Sequence, residues 1–199
     1  MRTDSRSIQA GTAQIYSFRI EHKTEALQKP TDQKADTMDM ENSLAGWFDN
    51  AGERYMREAL REARKAADAD EVPVGAVVVY ENRIIARAHN QVEMLNDATA
   101  HAEMIALTQA SAHLNNWRLT DATLVVTKEP CPMCCGAMVN ARLGAVIYGV
   151  PDERYGAARS GLNILENSVL NHRVQVTAGI LADECRELLQ VFFAKKRNK

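Results

Sequence analysis

Apolar residues first recur with a helical period over residues 53–69, at Tyr55, Met56, Ala59, Leu60, Ala63, Ala66 and Ala67. That spacing predicts an amphipathic helix with a charged outer face. Two β-branched runs follow, 75–80 and 83–89, separated by Glu81-Asn82, and they predict a hairpin. A second helix fits 101–112, with Thr99 as its N-cap. An apolar strand over 122–127 leads through Glu129-Pro130 into a third helix ending at Asn140. Residues 145–149 form another apolar strand, and 152–171 begin Gly-rich and continue as partly helical. Residues 173–178 alternate as a fifth strand, and 182–196 close the chain as a helix. Helices alternating with strands predict an α/β fold, a three-layer α/β/α domain around a five-stranded mixed sheet.

Residues 1–45 break this pattern, with six Lys/Arg, seven Asp/Glu and few large apolar residues. Such a stretch cannot offset the entropy of ordering, so it reads as a disordered N-terminal extension to a domain over 46–199. An edge strand at 15–20 is the competing reading, and Met38 and Met40 offer a later translation start. Composition adds limits: 199 residues with 46% hydrophobic content suffice for one core. The apolar run at 72–80 falls far short of the roughly 20 residues that span a bilayer. Arg2, Asp4 and Arg6 precede no apolar stretch of the kind a secretory signal needs, which predicts a cytoplasmic protein. Four cysteines, three of them within residues 131–135, suit metal or redox chemistry in a reducing compartment better than a disulfide scaffold.

The chemistry concentrates in His101-Ala102-Glu103 and Pro130-Cys131-Pro132-Met133-Cys134, each at a predicted helix start. Residues three apart on a first turn point the same way, and the positive helix end favours thiolate. One imidazole and two thiolates fill three tetrahedral positions of a zinc ion and leave the fourth to water, the pattern of a catalytic site. Cys135 lies four residues from Cys131, so it could complete a Cys3His site or replace Cys134; a buried apolar role is the simpler reading. Glu103 is the natural proton carrier, against the alternative of a charge that stabilises a helix start. H-x-E followed by P-C-x-x-C is the signature of zinc deaminases.

From about Ala51 to Arg197 the chain resembles the bacterial tRNA-specific adenosine deaminases of the cytidine-deaminase-like superfamily. The likeness runs through Val72-Pro73-Val74-Gly75-Ala76-Val77, Asn90, Thr99-Ala100-His101-Ala102-Glu103, Glu129-Pro130-Cys131 and Gly136-Ala137-Met138. It continues through Asn171-His172-Arg173-Val174 and residues 179–185, but does not reach 1–45. The resemblance implies a cytidine-deaminase-like fold and adenosine-to-inosine conversion at the wobble position of a tRNA anticodon. It implies one zinc ion per subunit on His101, Cys131 and Cys134, with Glu103 as general acid and base. Asn90, Val74 and the backbone of Ala102 would line the base pocket. Arg154 and Arg159 would meet the anticodon stem-loop, and the protein would be a homodimer; Lys195, Lys196 and Arg197, which follow Phe192-Phe193, suit single-stranded RNA, with a solvated cationic helix end as the competing reading.

Departures from the family pattern are His89, Gln91 and Lys128, which stand where an aromatic, an arginine and an apolar residue are usual. Tyr155 stacks on a base or covers the surface, Asn171 braces its turn, and His89 and His113 are structural. Two other functions stay open. One is a deaminase of free bases or nucleosides, of guanine or cytosine type; the other is a non-catalytic zinc-stabilised binding module. Net charge is −2, yet the last five residues carry four cations on an otherwise acidic body. That distribution suits engagement of one short loop rather than a general nucleic-acid coat.

Overall fold

The computed structural model describes residues 51–197; the extension 1–45, the edge-strand alternative at 15–20 and Lys199 lie outside them. The elements run α1 (Gly52–Asp68), β1 (Gly75–Tyr80), β2 (Arg83–His89), α2 (Val92–Leu95), α3 (Ala102–Leu114) and β3 (Thr123–Lys128). They continue with α4 (Pro132–Asn140), β4 (Ala145–Val150), β5 (Gln175–Ala178) and α5 (Ala182–Arg197). The sheet order is β2-β1-β3-β4-β5. β1 pairs antiparallel with β2 and β3, whereas β3, β4 and β5 are mutually parallel, so the sheet is mixed as predicted.

Strand alternation builds the two cores. Ala76, Val78, Leu124, Val126, Val146 and Tyr148 face α3 and α4. Val77, Val79, Val125 and Ile147 turn the other way, onto α1 and the start of α5. Successive strand residues point to opposite faces, so strands covered on both sides read as unbroken apolar runs. α1 lies close against β1 because Gly75 has no side chain; a Cβ there would stand 2.1 Å from the Ala59 carbonyl oxygen.

The hairpin turn takes positive φ at both Glu81 (47°) and Asn82 (59°), the primed geometry that matches strand twist. The Tyr55 hydroxyl donates to the Asn82 carbonyl at 2.7 Å, tying this turn to α1.

Two expectations fail, for identifiable reasons. Thr99 does not cap α3: its amide and hydroxyl both donate to Asp97 Oδ1 at 2.8 Å, closing a local turn. The N-cap position belongs to His101, whose side chain makes no cap bond. The segment 152–171 contains no helix. Its amides find distant or irregular partners, such as Ala157 N–H to the Pro130 carbonyl (2.9 Å) and Ile164 N–H to the Ala157 carbonyl (2.8 Å). Ala157, Ala158 and Leu165 drop into the core, so the segment folds as a run of turns pinned at three points. The short helix α2 went unpredicted, since four residues are too few for a periodic signal.

Candidate active site

Helix starts carry the reactive groups. His101 occupies the N-cap of α3 and Cys131 the N-cap of α4, both with extended backbone and neither spending its side chain on the cap. Pro132 fits the first helical position because its missing N–H would have no partner there. Cys134 follows one turn on, fully buried. The parallel neighbours β3 and β4 leave α4 beside α3 on one face of the sheet, bringing the two helix starts together.

The three donor atoms form a nearly equilateral triangle. His101 Nδ1 lies 3.6 Å from Cys131 Sγ and 3.5 Å from Cys134 Sγ, and the two sulfurs are 3.6 Å apart. A tetrahedral zinc with bonds of about 2.3 Å to sulfur and about 2.05 Å to nitrogen sets these edges at about 3.6 to 3.8 Å. The donor set therefore fits zinc in both chemistry and size. Among the described residues, these three are the group able to hold a metal. Cys135 is not part of it; its thiol is buried and lies 3.6 Å from the Pro130 carbonyl as a weak donor.

Contact with Cys134 foremost, and then with His101, holds the Cys131 thiol down at about 4, so it is a thiolate at neutral pH. The same pairing pushes the His101 imidazole up, with the Cys131 contact as the main cause. The Cys134 thiol is driven strongly the other way, upward, by its neighbour Cys131 and by burial. Glu103, in the first turn of α3, is buried, and that burial raises its carboxyl above the ordinary range.

A cavity of about 450 Å³ opens over this group, within the size range of small-molecule sites. Val74, Asn90, His101, Glu103, Cys131 and Lys196 line it, along with Phe192 and Phe193 from α5. Ala102, expected to line the base pocket, is fully buried and is not among the residues that line the cavity. Arg154 and Arg159 sit apart on the 152–160 loop, and Lys195 and Arg197 on the exposed end of α5. Lys196 pairs with Asp70 at 2.8 Å. Tyr155 is 73% exposed, which leaves its ring available on the surface. Asn171 and His172 brace the α4–β4 turn: Arg142 donates to Asn171 Oδ1 at 2.9 Å, and His172 Nε2 meets the Leu143 carbonyl at 2.7 Å. His89 faces Glu62 at 3.5 Å, a structural contact.

Two carboxylates that periodicity did not single out organise the cavity walls. Glu71 bonds Asn90 across 19 residues. Glu129 is 2% exposed and accepts from the amides of Asp152, Arg159 and Ser160, each at 2.9 Å, and from the Ser160 hydroxyl. Gly156 passes so close that a Cβ there would lie 2.4 Å from the Glu129 carboxyl carbon. The only advance signal was the position of Glu129, two residues before Cys131. Lys128 adds an ion pair with Asp152 to the same anchorage.

Burial opposes the charge on Glu129, but the hydrogen bonds from Ser160, Arg159 and Asp152 outweigh it and hold the carboxyl below its ordinary range. A depressed folded-state value stabilises above the unfolded value of about 4.3 and is lost as pH falls through the folded value. Glu129→Gln is therefore expected to cost about 1–3 kcal/mol at neutral pH. Thermal melts should give a Tm gap from the parent that is constant between about pH 7 and 5 and closes below about pH 4. A gap that widens on acidification contradicts this.

Comparison with known proteins adds an independent line. The family model of MafB19-like deaminases matches residues 50–197. The chain is 46% identical over 147 residues to a tRNA-specific adenosine deaminase of Bacillus subtilis, covering 74% of this chain and 91% of that protein. It is 48% identical over 145 residues to the namesake from Streptococcus pyogenes serotype M18, covering 73% and 91%. A solved structure from work on A-to-I editing by tRNA:A34 deaminases superposes with a TM-score of 0.66 at 42% identity, over 68% of this chain and 99% of that one. A guanine deaminase from Nitrosomonas europaea superposes with a TM-score of 0.63 at 26% identity, over 71% and 84%.

Proposed function

The chain belongs to the MafB19-like deaminase family and stands among its tRNA-specific adenosine deaminases, and from that premise we infer that it hydrolyses adenosine to inosine at the wobble position of a tRNA anticodon. The observation that carries this reading is Glu103, a buried carboxylate beside three donors of zinc-sized spacing in a cavity that also holds an amide side chain. A structural zinc site has no use for either group.

His101, Cys131 and Cys134 would hold one zinc ion per subunit. When bound, zinc supplies Lewis-acid activation, lowering the pKa of water toward about 7 so that a nucleophile exists at neutral pH. Glu103 carries the protons. It takes one from the attacking water and passes it to the purine ring nitrogen, then helps deliver a second to the departing amino group, so that adenosine and water become inosine and ammonia. Its burial raises its basicity, which suits a group that must accept a proton before giving it up.

A base must leave the stack to reach this depth. Val74 and the aromatic Phe192 and Phe193 enclose the cavity, and Asn90 offers hydrogen bonding at its wall. Arg154 and Arg159, on the loop clamped by Glu129, and Lys195, Lys196 and Arg197, at the end of α5, are assigned to the phosphates of the anticodon stem-loop. Assembly as a homodimer and a cytoplasmic location accompany this assignment. Among the described residues no helix is long and apolar enough to cross a membrane.

The test is inosine mapping in tRNA incubated with the purified protein, run beside free guanine and free cytosine. Inosine at the wobble position is expected. Turnover of a free base in preference to the stem-loop would move the chain to the alternative substrate class.

A further inference from the structure

Asn90 is buried, with 7% exposure, and its side-chain Nδ2 donates to Glu71 Oε2 at 3.0 Å. The other carboxylate oxygen of Glu71 accepts from the backbone amide of Met94 at 2.7 Å. Met94 is the third residue of α2, whose own N-cap residue, Gln91, makes no side-chain bond. Glu71 itself is 1% exposed, and its backbone is held by an N–H bond to the Ala66 carbonyl at 2.9 Å. Both oxygens are thus committed as acceptors by a rigidly seated residue.

An amide that donates to a carboxylate cannot flip, because the flipped form sets carbonyl oxygen against carboxylate oxygen. Asn90 Oδ1 must then be the group that points elsewhere. Among the described residues no fully buried side-chain nitrogen or oxygen lacks a partner, and none of those residues bonds Asn90 Oδ1. It is therefore open to the cavity that Asn90 lines.

We propose that Glu71 is a positioning residue that fixes the hydrogen-bonding polarity of Asn90, so that the cavity presents an acceptor, Oδ1, to a donor on the substrate nucleoside. This rests on the deaminase reading of the same site. Glu71 does not touch the substrate; it acts through Asn90. Replacement by glutamine separates this role from simple support of α2. The new side chain can still accept from Met94 N–H with its oxygen, but its amide group then faces Asn90. Asn90 must turn its oxygen toward that donor and its Nδ2 into the cavity, where it meets the substrate donor as a second donor.

The experiment measures kcat and KM for inosine formation on an anticodon stem-loop, with zinc content and Tm for each protein. Wild-type turnover checks the deaminase reading by itself, before any variant is compared. Glu71→Gln is expected to raise KM about 10- to 100-fold with kcat within about threefold, since the contact exists before and during the chemical step. Asn90→Asp alone is expected to raise KM similarly, because it sets two carboxylates against each other. The double variant Glu71→Gln/Asn90→Asp restores a donor-to-acceptor match and an oxygen in the cavity, and should recover at least about tenfold relative to either single variant. An unchanged KM in Glu71→Gln overturns the proposal. So does a double variant no better than the singles, which would make the loss one of packing rather than polarity. If Glu71→Gln fails to fold, Asn90→Asp against the double variant still decides.

Discussion

Glu103→Gln is expected to lower kcat for inosine formation about a hundred- to ten-thousand-fold, with KM and zinc content nearly unchanged. Glutamine has the shape of glutamate, so the first turn of α3 and the buried pocket around position 103 persist. An amide, however, neither takes a proton from water nor delivers one to a ring nitrogen at neutral pH. Glu103 sits two residues from His101 but is not in the donor triangle, so the metal site should load normally. Single-turnover assays on a stem-loop, with zinc measured on the same sample, check both halves. Retention of more than about a tenth of wild-type kcat would leave Glu103 outside the proton path.

Cys134→Ala is expected to abolish stoichiometric zinc binding and to cut activity at least about a thousand-fold. It leaves a two-donor site where three are needed to fix an open tetrahedral position. Chelator dialysis of the unaltered protein should have the same effect on activity and should be reversed by added zinc. Binding to the folded state alone stabilises by about 2.7 kcal/mol at free zinc a hundred times Kd, or roughly 5–10 °C in Tm for a domain of this size. That zinc-dependent shift should be missing in Cys134→Ala and intact in Cys135→Ala, whose sulfur lies against the Pro130 carbonyl rather than the donor triangle. Loss of zinc in Cys135→Ala would refute the three-donor assignment.

Much of the framework was legible along the chain because it repeats with a period. The seven apolar positions of α1 and the β-branched runs of β1 and β2 are local signals, and the elements lie where the periods put them. The three residues that cluster as a group able to hold a metal were legible too, through residue type and spacing near helix starts. The failures share a cause. Thr99 is a good N-cap residue by type, but Asp97 two positions earlier engages its hydroxyl first. The 152–171 segment has helix-compatible residues, but its amides are claimed by Glu129 and by the Pro130 carbonyl, both more than twenty residues away in sequence.

The chain by itself determined the kinds of chemistry available. An imidazole, two thiolates and a carboxylate sit at helix starts, where a dipole favours the anionic groups. Only the tertiary structure decided that His101 and the thiolates, 30 and 33 residues apart, stand 3.5 to 3.6 Å from one another. The same holds for the orientation of Asn90, set by a carboxylate 19 residues earlier, and for the loop held by Glu129. Periodicity reports which face of an element is buried. It carries no information about which side chain on another element will meet that face, because the register of sheet and helix packing sets it.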